Sequence, residues 1–220
     1  MKRKSLFVLV LAVFVVWNAF ADSEDELNFS FGLGGFFTND FGGGVSASLV
    51  GIEINSLKTP YLGGGGFLFF DMIFMEVDIS FFVIKSEWEY YALGSGTAKD
   101  KVSCFGSDAG VYGKFPFKIG SHFTVFPLLG FYMRTIYVAE IGGKKESGAN
   151  DLSALWFKLG GGVDYSISNK IYLRLEALYG LRLSNVFEDD MADYYHELGA
   201  DVEKLFGHGL DIKLALGYKF

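Results

Sequence analysis

The sequence predicts an all-β fold: an eight-stranded antiparallel up-and-down transmembrane β-barrel, with one short amphipathic helix in its last extracellular loop. Three observations carry this expectation. Apolar and polar residues alternate along eight separate stretches, the chain opens with a hydrophobic leader, and it closes on a strand that ends in an aromatic residue.

The leader reads as follows. Lys2, Arg3 and Lys4 precede an almost wholly apolar run from Leu6 to Phe20, and Ala19-Phe20-Ala21 forms a small-residue cleavage site. This is the pattern of a secretory signal peptide. The apolar run is too short to cross a hydrocarbon core about 30 Å thick at about 1.5 Å per helical residue. Residues 1–21 are therefore expected to be removed, and residues 22–220 to form one barrel domain. Loss of three cations and no carboxylate takes the formal net charge from −7 to −10. So acidic a chain repels a phosphate backbone, and nucleic acid is not an expected partner. The single cysteine, Cys104, rules out an internal disulfide.

The alternating stretches lie at 27–37, 60–70, 73–86, 104–117, 123–138, 153–167, 171–183 and 208–220. Each is at least as long as the ~9–11 residues that a tilted membrane strand needs. Within 171–183, Ile171, Leu173, Leu175, Ala177, Tyr179, Leu181 and Leu183 share one face, and Arg174, Glu176 and Arg182 fall on the other. A soluble barrel would turn the oily face to its core; a membrane barrel turns it to lipid. The leader and the terminal aromatic select the membrane barrel.

Tight connections at Asp71-Met72, 118–122 and 168–170 alternate with long ones at 38–59, 87–103, 139–152 and 184–207. Short periplasmic turns and long extracellular loops are the asymmetry of outer-membrane barrels. Phe70, Phe115, Phe117, Phe123, Tyr165, Tyr218 and Phe220 are expected outside at the periplasmic end, as a girdle at headgroup level. Glycines inside the strands, such as Gly63–Gly66 and Gly160–Gly162, are expected where the wall curves or interior volume is short.

The last strand, with Gly217, Tyr218 and Phe220 at its end, resembles the assembly signal of bacterial outer-membrane barrels. The whole mature chain resembles the small eight-stranded barrels of that membrane, the group of the OmpA membrane domain, OmpX and OmpW-like proteins. The resemblance rests on pattern and end signals. It implies insertion by the barrel-assembly machinery, contact with outer-membrane lipid, a monomer, and work as a narrow channel, a surface adhesin or a defence factor.

Strand parity points Glu76, Asp78, Asp108, Lys114, Arg134, Lys158, Asp164, Arg174, Glu176, Arg182, Asp211, Lys213 and Lys219 into the lumen. The signs nearly balance, which favours pairing over a field that selects one ion. Pairing across 168–170 sets Asp164 opposite Arg174. Symmetric closure of 87–103 would set Glu76 against Lys114, and Asp211 and Lys213 lie on the strand beside Arg182 and Glu176. An eight-stranded barrel is just wide enough for side chains to fill it. Two readings stay open. One is a plugged barrel whose extracellular loops contact ligands or host surfaces. The other is a narrow porin-like channel for small solutes, gated by salt bridges that swap partners.

Outside the membrane, Met191, Tyr194, Tyr195, Leu198, Val202, Leu205 and Phe206 recur at helical spacing, predicting a helix over 189–206 that Gly207 stops. Trp88, Tyr90 and Tyr91 in one loop, and Tyr194 and Tyr195 in the last, are candidate surface contacts. Asp189, Asp190 and Asp193 lack ordered calcium-loop spacing, so neither metal nor cofactor is expected. His122, His196 and His208 form no His-x-Ser pair, so no catalysis is expected. Cys104 is expected to be inward, buried and inert.

Overall fold

The computed structural model describes residues 29–49, 52–56, 61–92, 96–147, 153–197 and 199–220. The expected leader and the loop tips at 57–60, 93–95 and 148–152 lie outside the described residues. In chain order the elements are β1 (Ser30–Leu49), β2 (Ile52–Ser56), β3 (Tyr61–Met72), β4 (Met75–Ala92), β5 (Gly96–Lys114), β6 (Phe117–Ile119), β7 (Phe123–Ile141), β8 (Lys144–Ser147), β9 (Ala154–Ser166), β10 (Ile171–Asn185), helix α1 (Val186–Glu197) and β11 (Asp201–Lys219).

Period-two alternation gives each long strand two unlike faces, and closing the sheet is the only way to keep them apart in lipid. Eight strands form the wall in the order β1, β3, β4, β5, β7, β9, β10, β11, and β11 returns to β1. That seam runs from Ser30 opposite Lys219 to Ser48 opposite Asp201. The short strands β2, β6 and β8 are hairpin extensions on β1 and β7. Closure leaves no wall strand with an unpaired edge.

The amphipathicity is inverted relative to a soluble protein. Leu33, Leu68, Phe81, Leu129, Leu159, Leu175 and Leu214 lie exposed on the outer wall, whereas Glu76, Arg134, Arg174 and Lys213 are buried inside. So large an apolar exterior is stable only against lipid. Turns at 73–74, 120–122 and 167–170 lie at the end where both described termini meet, and Gly120 supplies a left-handed φ of 65°. Phe70, Phe115, Phe117, Phe123 and Tyr165 are exposed at that end. Phe31 packs with Tyr218 and Phe220 across the seam, at ring separations of 6.0 and 5.6 Å.

The strands run further than their alternation predicts. β3 continues through Met72, so Asp71 belongs to the wall and the turn sits at 73–74. β4, β5, β7 and β11 span 18 or 19 residues each. The stretches read as long loops from 38, 87 and 139 are in large part paired strand. At about 3.3 Å per residue and a tilt near 45°, such strands rise well above an apolar band about 25 Å tall.

The helix is shorter than predicted. It ends at Glu197, and residues 201–206 continue β11, with Lys204 opposite Val45 and Gly207 opposite Gly42. Gly199, at a φ of 78°, breaks the helical run. The upper half of β1 then gains a partner for its main-chain groups on the β11 side, which outweighs one more helical turn.

Inward glycines are fitted to their neighbours. A Cβ at Gly34 would stand 2.1 Å from the Leu214 oxygen, whereas one at Gly35 meets nothing closer than 3.6 Å. Gly34→Ala should therefore sharply reduce the heat-modifiable folded band on unboiled gels, and Gly35→Ala should keep it. Equal behaviour of the two variants would contradict the packing described.

Candidate functional site in the barrel lumen

β10 is a regular strand, so Arg174, Glu176 and Leu178 point inward together. Arg174 stands opposite Asp164 of β9 in the ladder. Its Nε and Nη2 donate to the two Asp164 oxygens at 2.7 and 2.8 Å, a bidentate fork. Its Nη1 donates to Glu76 Oε2 at 2.6 Å, and its Nη2 also reaches Asp71 Oδ2 at 2.5 Å. Counted around the wall in either direction, β10 and β4 are four strands apart, so the Arg174–Glu76 bond crosses the full lumen.

A second arginine repeats the pattern nearer the hairpin end. Arg134 of β7 forks onto Asp108 at 2.9 and 3.0 Å and pairs with Asp40 of β1, again four strands away. Lysines fill in between. Lys114 donates to Asp71 at 2.5 Å, Lys158 pairs with Asp211, and Lys213 pairs with Asp78. Thr38 donates to Asp211 at 2.7 Å, and Ser30 shares a 2.8 Å bond with the Tyr172 hydroxyl.

Aromatic faces occupy the space between these charges. The Arg174 guanidinium lies 4.4 Å from the Phe69 ring centre and 4.8 Å from that of Phe126. Lys158 Nζ is 3.4 Å from the Tyr132 ring centre. Such stacking adds attraction where water is excluded. Gly217 makes room for Tyr172, whose ring a Cβ there would meet at 2.1 Å.

Eleven of the thirteen charged residues expected in the lumen are buried: Glu76, Asp78, Asp108, Lys114, Arg134, Lys158, Asp164, Arg174, Glu176, Asp211 and Lys213. Lys219 is half-buried, 5.0 Å from the Tyr172 ring centre. Arg182 is half-buried, 5.7 Å from the Trp156 ring centre. One expected pair differs. The β4–β5 hairpin closes with Ala92 opposite Gly96, so Glu76 faces Tyr112 in the ladder rather than Lys114. That register lies two residues from the symmetric closure, which keeps both side chains inward but changes their neighbours. Asp40 and Asp71 are members that the alternation missed, because both lie just past the predicted strand ends. Continuing the parity of Phe36 and of Phe69 would have found them.

The candidate surface residues lie elsewhere. Trp88, Tyr90 and Tyr91 fall on the upper part of β4, opposite Asp100, Ala98 and Thr97 of β5. Tyr194 and Tyr195 lie in α1, where Tyr195 packs on Ala200 and Val202. Lys204 ties β11 to the helix through Asp189 at 2.6 Å. Cys104 is buried in an apolar cluster with Ile84, Val102, Ile136 and Ala139.

A closed wall with lipid-facing apolar side chains and a charge-filled lumen decides the class of molecule. The fold is that of a small outer-membrane β-barrel. No family model matches the sequence, and no curated protein matches it. Solved structures do. The outer membrane protein OprG from Pseudomonas aeruginosa is 13% identical, with 88% of this chain and 96% of that one covered and a TM-score of 0.47. Ail, the attachment invasion locus protein of Yersinia pestis, is 14% identical over 89% of this chain and 99% of that one, with a TM-score of 0.42. The outer membrane protease OmpT from Escherichia coli is 7% identical over 90% and 98%, with a TM-score of 0.40.

Removing one partner of a buried ion pair strands the others. Arg174→Ala should cost about 3–5 kcal/mol of stability in a detergent unfolding series. Arg174→Lys should recover only part of that loss, because an ammonium cannot make the fork. Lys99 and Glu87 form a 3.4 Å pair with both side chains about half exposed, so Lys99→Ala should leave the unfolding midpoint unchanged.

Proposed function

We propose that this outer-membrane barrel works as a closed scaffold, with a lumen that passes no solute and an outer end that contacts a ligand or host surface. The interior carries the reading. Among the described residues eight carboxylates and five cations are buried there, none more than 6% exposed, and Arg134 and Arg174 bind strands on opposite sides. Opening a path would require breaking several charge-assisted hydrogen bonds in a chamber with little water to replace them.

The outer end supports the contact role. β4 and β5 rise together through Trp88, Tyr90 and Tyr91, and Tyr195 of α1 packs against Ala200 just before β11. Aromatic residues carried above the membrane on paired strand are suited to anchor a partner. Insertion by the barrel-assembly machinery through Gly217, Tyr218 and Phe220, and a monomeric state, belong to the same reading.

We read the chain as non-catalytic. The contacts of His122 and His208 are to the Ser166 main-chain oxygen and the Tyr179 hydroxyl, and His196 lies exposed in α1. Neither described contact activates a serine for attack.

Single-channel recording of the refolded chain in a planar bilayer tests the scaffold. Heat-modifiable, folded protein should give a silent bilayer, both as wild type and as Glu76→Ala. Discrete openings whose size changes in Glu76→Ala would replace the scaffold with a gated narrow channel.

A further inference from the structure

The half of the lumen nearest the turns holds more acid than base. Asp71, Glu76, Asp78, Asp164 and Glu176 share it with Lys114, Arg174 and Lys213, all of them buried. Each cation is already committed. Arg174 serves Asp164, Glu76 and Asp71, Lys114 serves Asp71, and Lys213 serves Asp78. Glu176 receives what remains. Its Oε1 lies 3.6 Å from Arg174 Nη1 and its Oε2 lies 4.0 Å from Lys213 Nζ, both too long for hydrogen bonds. Glu76 gives Oε2 to that same Nη1 at 2.6 Å. Two carboxylates thus converge on one nitrogen. Three of their four oxygens, Glu76 Oε1 and both of Glu176, are buried without a hydrogen-bond partner.

We infer that Glu76 and Glu176 together bind one proton, so that the closed lumen holds a carboxylic acid beside a carboxylate. The proton comes from bulk solvent and adds to a carboxylate oxygen; no other bond forms or breaks. It removes one of the two like charges that face the same Arg174 nitrogen, and it creates an O–H donor where only acceptors stood. Two carboxyl groups that crowd one site share a proton for this reason.

Among the described residues, the cations near the pair are bonded to other carboxylates. Asp71 on β3, Asp78 on β4 and Asp164 on β9 add negative charge, and Tyr112 on β5 is the ladder partner of Glu76. Lys114 on β5, Arg174 on β10 and Lys213 on β11 are the cations that face the pair. The inference goes beyond the scaffold reading, because it holds whether or not the lumen conducts. It makes the barrel interior a proton-binding site, whose loss leaves two carboxylates repelling each other beside Arg174.

Infrared spectra of the full chain, refolded in phosphatidylcholine vesicles and recorded in water and heavy water, test this. The expected result is a protonated-carboxyl C=O band at neutral pH that shifts in heavy water and disappears in one step as pH rises. Glu176→Gln should remove that band and keep the heat-modifiable fold, since an amide is neutral and brings its own donor. Glu76→Gln is the second variant, with the same expectation. The inference is overturned if the wild type shows no acid band at neutral pH, or if the band survives in both variants. It is also overturned if the thermal midpoint rises as sodium replaces choline at constant ionic strength, which would make the occupant a metal cation.

Discussion

A charge inside this barrel has to be stabilised by the other charges, rings and hydroxyls of the lumen. Lipid lies outside the wall, and the lumen is too narrow for bulk water to screen what it contains. Everything else in the interior follows from that constraint. Arg174 and Arg134 act as struts, each holding a carboxylate on its neighbouring strand and another on the strand directly opposite. The lysines close shorter spans, and phenylalanine and tyrosine faces fill the volume that ions cannot. Inward glycines such as Gly34 and Gly217 are spacing devices that let the struts and the rings fit.

The wall and the network divide the work of stabilisation. Main-chain hydrogen bonds fix each strand to its two neighbours and make the cylinder. They say nothing about its cross-section, which could flatten without breaking a ladder. Cross-lumen pairs remove that freedom, because a guanidinium fork tolerates little change in distance or angle. A barrel braced in this way presents its outer end in one shape.

Much of this was legible in the sequence, and the boundary of legibility has a physical position. Alternation is visible where one strand face meets lipid and the other meets charge. In 38–49, 87–92 and 96–103 polar and small residues interrupt the alternation, although the backbone stays paired. Val202, Leu205 and Phe206 fitted a helical period by chance of spacing, and the need of β1 for a partner overrode it. Network membership could be read from parity, except for Asp40 and Asp71 just past the predicted strand ends. Partners across the lumen could not. Register relates only adjacent strands, whereas Arg174 to Glu76 and Arg134 to Asp40 depend on side-chain reach through the interior.

The seam between β1 and β11 joins the first described strand to the last over most of their lengths. Until that contact forms, β1 and β11 each leave an edge that no other wall strand among the described residues pairs with. The contact that completes the cylinder is also the one with the greatest sequence separation, so its loop-closure entropy is met last and all at once. A truncated chain is therefore an open sheet with sticky borders rather than a smaller barrel. Quality control of such a molecule can rest on a single question, whether the ends have met.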